Sequence, residues 1–120
     1  MTFARPLRAA LALCLILAAP PAVAERIVGL LIGVGAYPNL PGADLRGPPT
    51  DVRLMAGALI ARGAVPGDLV ALTTDPAGLP PGIATGAPSR DALLAAVADV
   101  GRRAGPGKTA VVKFSGHGAQ

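Results

Sequence analysis

Tryptophan is absent from this sequence, and the aromatic residues amount to one tyrosine and two phenylalanines. Phe3 lies near the start, so Tyr37 and Phe114 are the aromatics of the rest of the chain. That is too few for a base-stacking surface, and the basic residues are scattered, not gathered in one run. Both features exclude a nucleic-acid binder. Cysteine is nearly absent too. Cys14 is the single one and sits inside an apolar run, where it reads as a hydrophobic filler. A lipoprotein would carry a small residue just before it, and Leu13 stands there. Beyond residue 24 there is no thiol, which excludes a disulfide, a thiolate metal site and a thiol nucleophile there.

Charged residues are sparse at 15%, while 52% of the 120 residues are hydrophobic, with 16 glycines and 13 prolines. Such a chain has enough apolar surface for one small packed domain, and wholesale disorder is excluded.

Residues 1–24 have the layout of a secretory signal. Arg5 and Arg8 form a positive start, residues 9–19 are uncharged and apolar, Pro20 and Pro21 break the run, and Ala22-Val23-Ala24 is a small-x-small cleavage pattern. The alternative is an uncleaved anchor, but a spanning helix needs about 20 apolar residues. Cleavage after Ala24 leaves Glu25 as the new N-terminus and a periplasmic or secreted protein, with no stable membrane insertion. Of the formal charge of +4, Arg5 and Arg8 then leave with the signal, and +2 remains. The expected organisation is a signal over 1–24 and one domain segment over 25–120.

Residues 26–35 (RIVGLLIGVG) are almost continuously aliphatic, as a strand buried on both faces must be. A Pro/Gly-punctuated loop follows. Thr50 reads as an N-cap, with Asp51 in the first turn of a helix over 51–62 whose apolar stripe is Val52, Met55, Ala56, Leu59 and Ile60. Arg62 falls in its last turn and Gly63 stops it. Residues 68–73 form a second strand. Residues 75–88 are a Gly/Pro-rich loop with little local order expected. Ser89 caps a helix over 90–103 with Leu93, Ala96, Val97 and Val100 as its stripe and Arg102 and Arg103 near its negative end. Residues 108–114 (KTAVVKF) are a third strand. The order strand–helix–strand–helix–strand predicts an α/β fold with a parallel sheet and right-handed crossovers. A sheet of three strands leaves 108–114 as an uncovered apolar edge, an aggregation liability, which suggests a fragment or a truncated gene product.

Ser115-Gly116-His117-Gly118 follows that strand directly. His117 is the only histidine. It falls past the carboxyl end of a strand, where open α/β sheets place their sites. A near-neutral imidazole there suits a general base toward a thiol or hydroxyl, and flanking glycines let other groups approach. The alternative is a surface histidine in a glycine turn. Gly33 and Gly35 begin a dinucleotide fingerprint, but Pro38 stands where its third glycine belongs and no helix follows. Asp44, Asp51 and Asp75 lie on separate segments without ligand spacing, so they read as solvated acids and no metal is expected.

Three segments together resemble the caspase/metacaspase clan of cysteine peptidases. Ser115-Gly116-His117-Gly118 is similar to its histidine motif, and Gly33-Val34-Gly35-Ala36-Tyr37 to its opening I-G-x-x-x-Y segment. Residues 45–52 (LRGPPTDV) are similar to its L-x-G-x-x-N-D-V/A stretch. The resemblance spans about residues 27–120. It implies a three-layer α/β/α fold of flavodoxin-like order, present only in part, with about the first three strands and two helices.

The resemblance also implies cysteine-type endopeptidase activity, with His117 as the general base of a Cys–His dyad. Asp51 and Ser115 would line the pocket for the substrate residue before the scissile bond, an acidic pocket accepting Arg or Lys of a peptide or protein substrate. Gly116 and Gly118 would contribute backbone. For Asp51 the alternative is a helix-terminal acid, and for Ser115 a group satisfying backbone at the strand end. Thr50 replaces the family's common Asn, and Pro48 and Pro49 replace small residues. Arg46 nearby would suit an acidic substrate residue, although its spacing fits that role less well. No cofactor is implied for this chain, and calcium only for a full-length family member. The family's cysteine lies about 50 residues past its histidine, so the chain alone is expected to be inactive. A cysteine-free peptide- or partner-binding module and a generic doubly wound ligand-binding domain stand as alternatives.

Overall fold

A computed structural model describes residues 25–118. The reading of a secretory signal falls on residues 1–24 and so lies outside the described residues. Among the described residues no helix is long and apolar enough to cross a membrane.

The aliphatic run forms β1 (Arg26–Gly33), buried on both faces from Val28 onward. It is followed by α1 (Gly47–Ala61), a 3-10 turn (Pro66–Asp68), β2 (Leu69–Thr73), β3 (Ala84–Gly86), α2 (Arg90–Arg103) and β4 (Lys108–Ser115). The four strands make one parallel sheet in the order β3-β2-β1-β4. β1 pairs with β2 from Gly29↔Leu69 to Gly33↔Thr73, and with β4 along its whole length from Arg26↔Lys108 to Gly33↔Ser115.

Alternation along β1 divides the core in two. Leu31 faces α1 and joins Val52, Ala56, Leu59, Leu69 and Ala71. Val28, Leu30 and Ile32 face the other way and join Leu72 and Val100 of α2. Each fully buried leucine contributes about 1.5–3 kcal/mol relative to exposure, so this double burial of β1 is the main hydrophobic contribution of any single element. The result is an incomplete flavodoxin-like three-layer α/β/α fold with an all-parallel sheet.

Several local expectations change. α1 begins at Gly47, so Thr50 is not its N-cap; that position is Arg46, with no side-chain cap bond. Pro48 and Pro49 explain the shift. Proline at the start of a helix loses no hydrogen bond and has its φ already set, and both prolines are buried here. Asp51 therefore sits beyond the first turn, and the first turn holds no acid. Arg62 is the C-cap rather than a last-turn residue, and Gly63 ends the helix at φ 100. The loop 75–88 contains a strand, since Ala84, Thr85 and Gly86 pair with Val70, Ala71 and Leu72. Its three exposed residues carry no burial pattern by which sequence could mark them. In α2, Ser89 caps as expected, its Oγ accepting from the Ala92 N–H at 3.2 Å. Val97 is half exposed, and the inward side is Ala92, Leu93, Ala96 and Val100.

Candidate functional site at the carboxyl edge

The chain steps from β1 to β2 to β3 on one side, and α2 then carries it back to the far side of β1. The direction of succession reverses between β1 and β4. A reversal of this kind is where open α/β sheets commonly hold ligands. His117 lies there, two residues past the end of β4, and its side chain is exposed.

The loop leaving β1 holds this histidine from three sides. The His117 N–H donates to Tyr37 Oη at 2.7 Å. The Tyr37 ring lies against the imidazole at a centroid distance of 4.8 Å and a tilt of 59°. Nε2 of His117 is 2.7 Å from the Ala43 carbonyl oxygen. A carbonyl only accepts, so Nε2 carries the hydrogen. In the neutral ring Nδ1 then keeps the free lone pair and is the basic nitrogen.

The loop that supplies these contacts is closed on itself. The Leu45 N–H donates to the Gly35 carbonyl at 2.7 Å, Leu40 to Tyr37 at 2.9 Å and Ala43 to Leu40 at 3.1 Å. Asp44 Oδ1 accepts from the Tyr37 N–H at 2.8 Å. The loop is also tied to the sheet, because the Gly35 N–H donates to Thr74 Oγ1 at 3.0 Å. No dinucleotide-type helix follows Gly35; this clasp takes its place.

Asp51 and Ser115 meet. The Ser115 hydroxyl donates to Asp51 Oδ2 at 2.5 Å, joining α1 to the end of β4, and both residues are half-buried. The Ser115 carbonyl also accepts from the Val34 N–H at 2.9 Å. Beside Asp51 a shallow groove of about 270 Å³ is lined by Leu54, Met55, Ala58 and Lys113. Gly116 packs under Tyr37: a Cβ there would lie 2.8 Å from the tyrosine hydroxyl and 3.1 Å from the Phe114 ring. Gly118 has open space around it and an ordinary φ.

A larger cavity of about 580 Å³ lies at the same edge on the β2 side, and none of its lining residues is His117, Asp51 or Ser115. Arg46, Arg53, Asp44 and Asp75 face it. Arg53 is fixed by the Ala77 carbonyl at 3.0 Å and Thr50 Oγ1 at 2.9 Å, and Asp75 Oδ1 accepts from the Ala77 N–H at 3.0 Å. Asp44, Asp51 and Asp75 thus each accept a separate hydrogen bond, and among the described residues no group of three His, Cys, Asp or Glu side chains converges as metal ligands would.

Sequence reasoning placed His117 past the carboxyl end of a strand, and the family resemblance alone brought Asp51, Ser115 and the Tyr37 segment to the same site. It missed the Ala43 carbonyl and took Asp44 for a solvated acid. A backbone carbonyl leaves no mark in a sequence. Asp44 carried one weak signal, being an aspartate in a Gly/Pro-rich loop, where such side chains close turns. Comparison with family models, with curated proteins and with solved structures found no match to this chain.

Proposed function

We propose that this chain supplies the histidine side of a caspase-type cysteine endopeptidase site. The observation that carries the reading is the imidazole at the strand-order reversal, with Nε2 tied to the Ala43 carbonyl and Nδ1 left as base. In this reading Nδ1 takes the proton from a cysteine thiol. The thiolate adds to the scissile carbonyl. Collapse of the tetrahedral adduct breaks the C–N bond, and the imidazolium returns its proton to the leaving amine. Water then hydrolyses the thioester with the same nitrogen as base. The cysteine comes from outside residues 25–118, which contain none.

The half-buried carboxylate of Asp51, oriented by Ser115, supports an Arg or Lys before the scissile bond. Lys113 lines the same groove and works against that preference by like charge. In the proposed setting the protein acts outside the cytoplasm, after cleavage at Ala24, and calcium belongs to a longer family member.

The test begins with the coding sequence beyond codon 120. A frame carrying Asp-x-Cys after an apolar strand, about 50 residues past His117, is the expected result. The longer product should cleave peptidyl-Arg and peptidyl-Lys amides, and His117→Ala should lower kcat/KM by about 100- to 10,000-fold. Turnover by the longer product that survives His117→Ala, or thiol-dependent turnover by purified residues 25–120, overturns the reading. The lack of a cysteine among residues 25–118 favours a second reading, a peptide-binding module that does not cut. A coding frame that closes at codon 121 would select it.

A further inference from the structure

Asp44 makes no hydrogen bond to the imidazole, yet it holds the segment that does. Its Oδ1 accepts the Tyr37 N–H at 2.8 Å and so draws the two ends of the clasp together across the segment 37–44. That segment presents two groups to His117. One is the Tyr37 hydroxyl, which holds the histidine backbone; the other is the Ala43 carbonyl, which holds Nε2. Ala43 is the residue next to Asp44. The Leu45 N–H bond to Gly35 then locks the base of the clasp. One carboxylate oxygen therefore fixes the spacing between both contacts.

We propose that Asp44 and Tyr37 are positioning residues for His117, setting which imidazole nitrogen is presented as base. Asp44 acts through the clasp and Tyr37 through the histidine backbone and ring face. The inference deepens the peptidase reading and takes its purpose from it, but the positioning itself is a property of this chain alone. An imidazole on an exposed strand end has free rotation about two side-chain bonds. With the clasp closed, only the orientation with Nε2 on Ala43 keeps that hydrogen bond, which leaves Nδ1 with the lone pair.

The single histidine makes the test direct. In the full chain, the imidazole nitrogens are followed by ¹⁵N NMR, and the ring is acylated with diethyl pyrocarbonate, which marks the nitrogen that carries the lone pair. The native chain should show a protected Hε2 coupled across the hydrogen bond to the Ala43 carbonyl carbon, and acylation at Nδ1. Asp44→Ala should speed Hε2 exchange by about tenfold, the worth of one hydrogen bond, and should give adducts on both nitrogens. Asp44→Asn keeps an acceptor oxygen and should restore the native pattern. Tyr37→Phe should give the same loss as Asp44→Ala, and it decides the matter if Asp44→Ala does not fold.

Native exchange and Nδ1-only acylation in folded Asp44→Ala or in Tyr37→Phe would overturn the proposal, as would failure of Asp44→Asn to rescue. Because these readouts need no cysteine, they stand or fall apart from peptidase activity. Positioning with no hydrolysis in any longer product would sink the peptidase reading and leave this one intact.

Discussion

At the scale of single residues, the glycines around His117 are not equivalent. Gly116 lies beneath Tyr37, where a Cβ would come within 2.8 Å of the hydroxyl that holds the histidine backbone. Gly118 meets nothing within contact distance. Gly116→Ala should therefore push Tyr37 off the imidazole and lower stability by about 1–3 kcal/mol, the usual cost of overpacking. Gly118→Ala should change either quantity little, within about 0.5 kcal/mol. Thermal melts with the His117 ring resonances as a local probe check both, and equal effects from the two substitutions would contradict the packing. The sequence made this position readable only in part. A histidine between glycines after a strand marks a place where backbone comes close, but which glycine is crowded depends on Tyr37, far away in the chain. The 2.7 Å bond to Ala43 had no signal at all, since it is made by main chain.

The elements were legible wherever burial left a period. β1 is hydrophobic on both faces because helices cover both, and α2 announces its start with Ser89 and its end with Arg102 and Arg103. Legibility failed where another rule competed. Pro48 and Pro49 look like loop punctuation, yet at a helix start they are favourable, so α1 begins a full turn earlier than Thr50 suggests. β3 is three exposed residues held by main-chain pairing to β2, which no side-chain pattern reports.

β4 was read as an uncovered edge, and that is its place in the sheet. Val112 and Phe114 are 55% and 52% exposed on its α2-facing side. Leu94 and Val97 of α2 are exposed as well; at 100° per residue they fall on the flank of α2 away from Arg103 and its contact to Asp68. Such an edge pairs with whatever strand it meets. The native chain should self-associate with rising concentration in light scattering, and Val112→Lys should suppress this at a cost below about 1 kcal/mol. A native chain that stays monomeric at high concentration would refute the point.

Over the whole molecule, the histidine clasp and a buried carboxylate cluster sit at opposite ends of the sheet. The carboxyl edge carries the clasp and His117. The amino edge carries Asp68, only 5% exposed, which accepts from Arg26 Nε at 2.7 Å and Nη2 at 2.8 Å and from Arg103 Nη2 at 3.0 Å. One carboxylate thus ties the start of β1, the end of α2 and the entry to β2. The fork of Arg26 bonds, more than any other cause, holds the Asp68 carboxyl below its ordinary range; burial opposes this, and Arg103 adds to it.

A lowered folded value means that the ionised form is the stabilising one. The contribution is present above the unfolded carboxylate value of about 3.9 and is lost as pH falls through the folded value. Asp68→Asn should lower stability at neutral pH by about 1–3 kcal/mol and flatten the acid limb below about pH 4. Denaturant titrations from neutral to acid pH measure both, and parallel acid limbs in native and variant chains would exclude the clamp. The sequence showed Asp68 and Arg103 but not their meeting, which requires the crossover to bring α2 back over the sheet.

The two sides of the sheet are also unequal in reach. On one side β3 offers three residues of free main chain, too few to template a stable neighbour, while on the other β4 offers eight. The sheet is therefore finished in one direction and extensible in the other. A strand joining in parallel register would lie about 4.8 Å beyond β4. Its carboxyl end would arrive level with Ser115, so a neighbour that grows the sheet there extends the same carboxyl edge two residues short of His117.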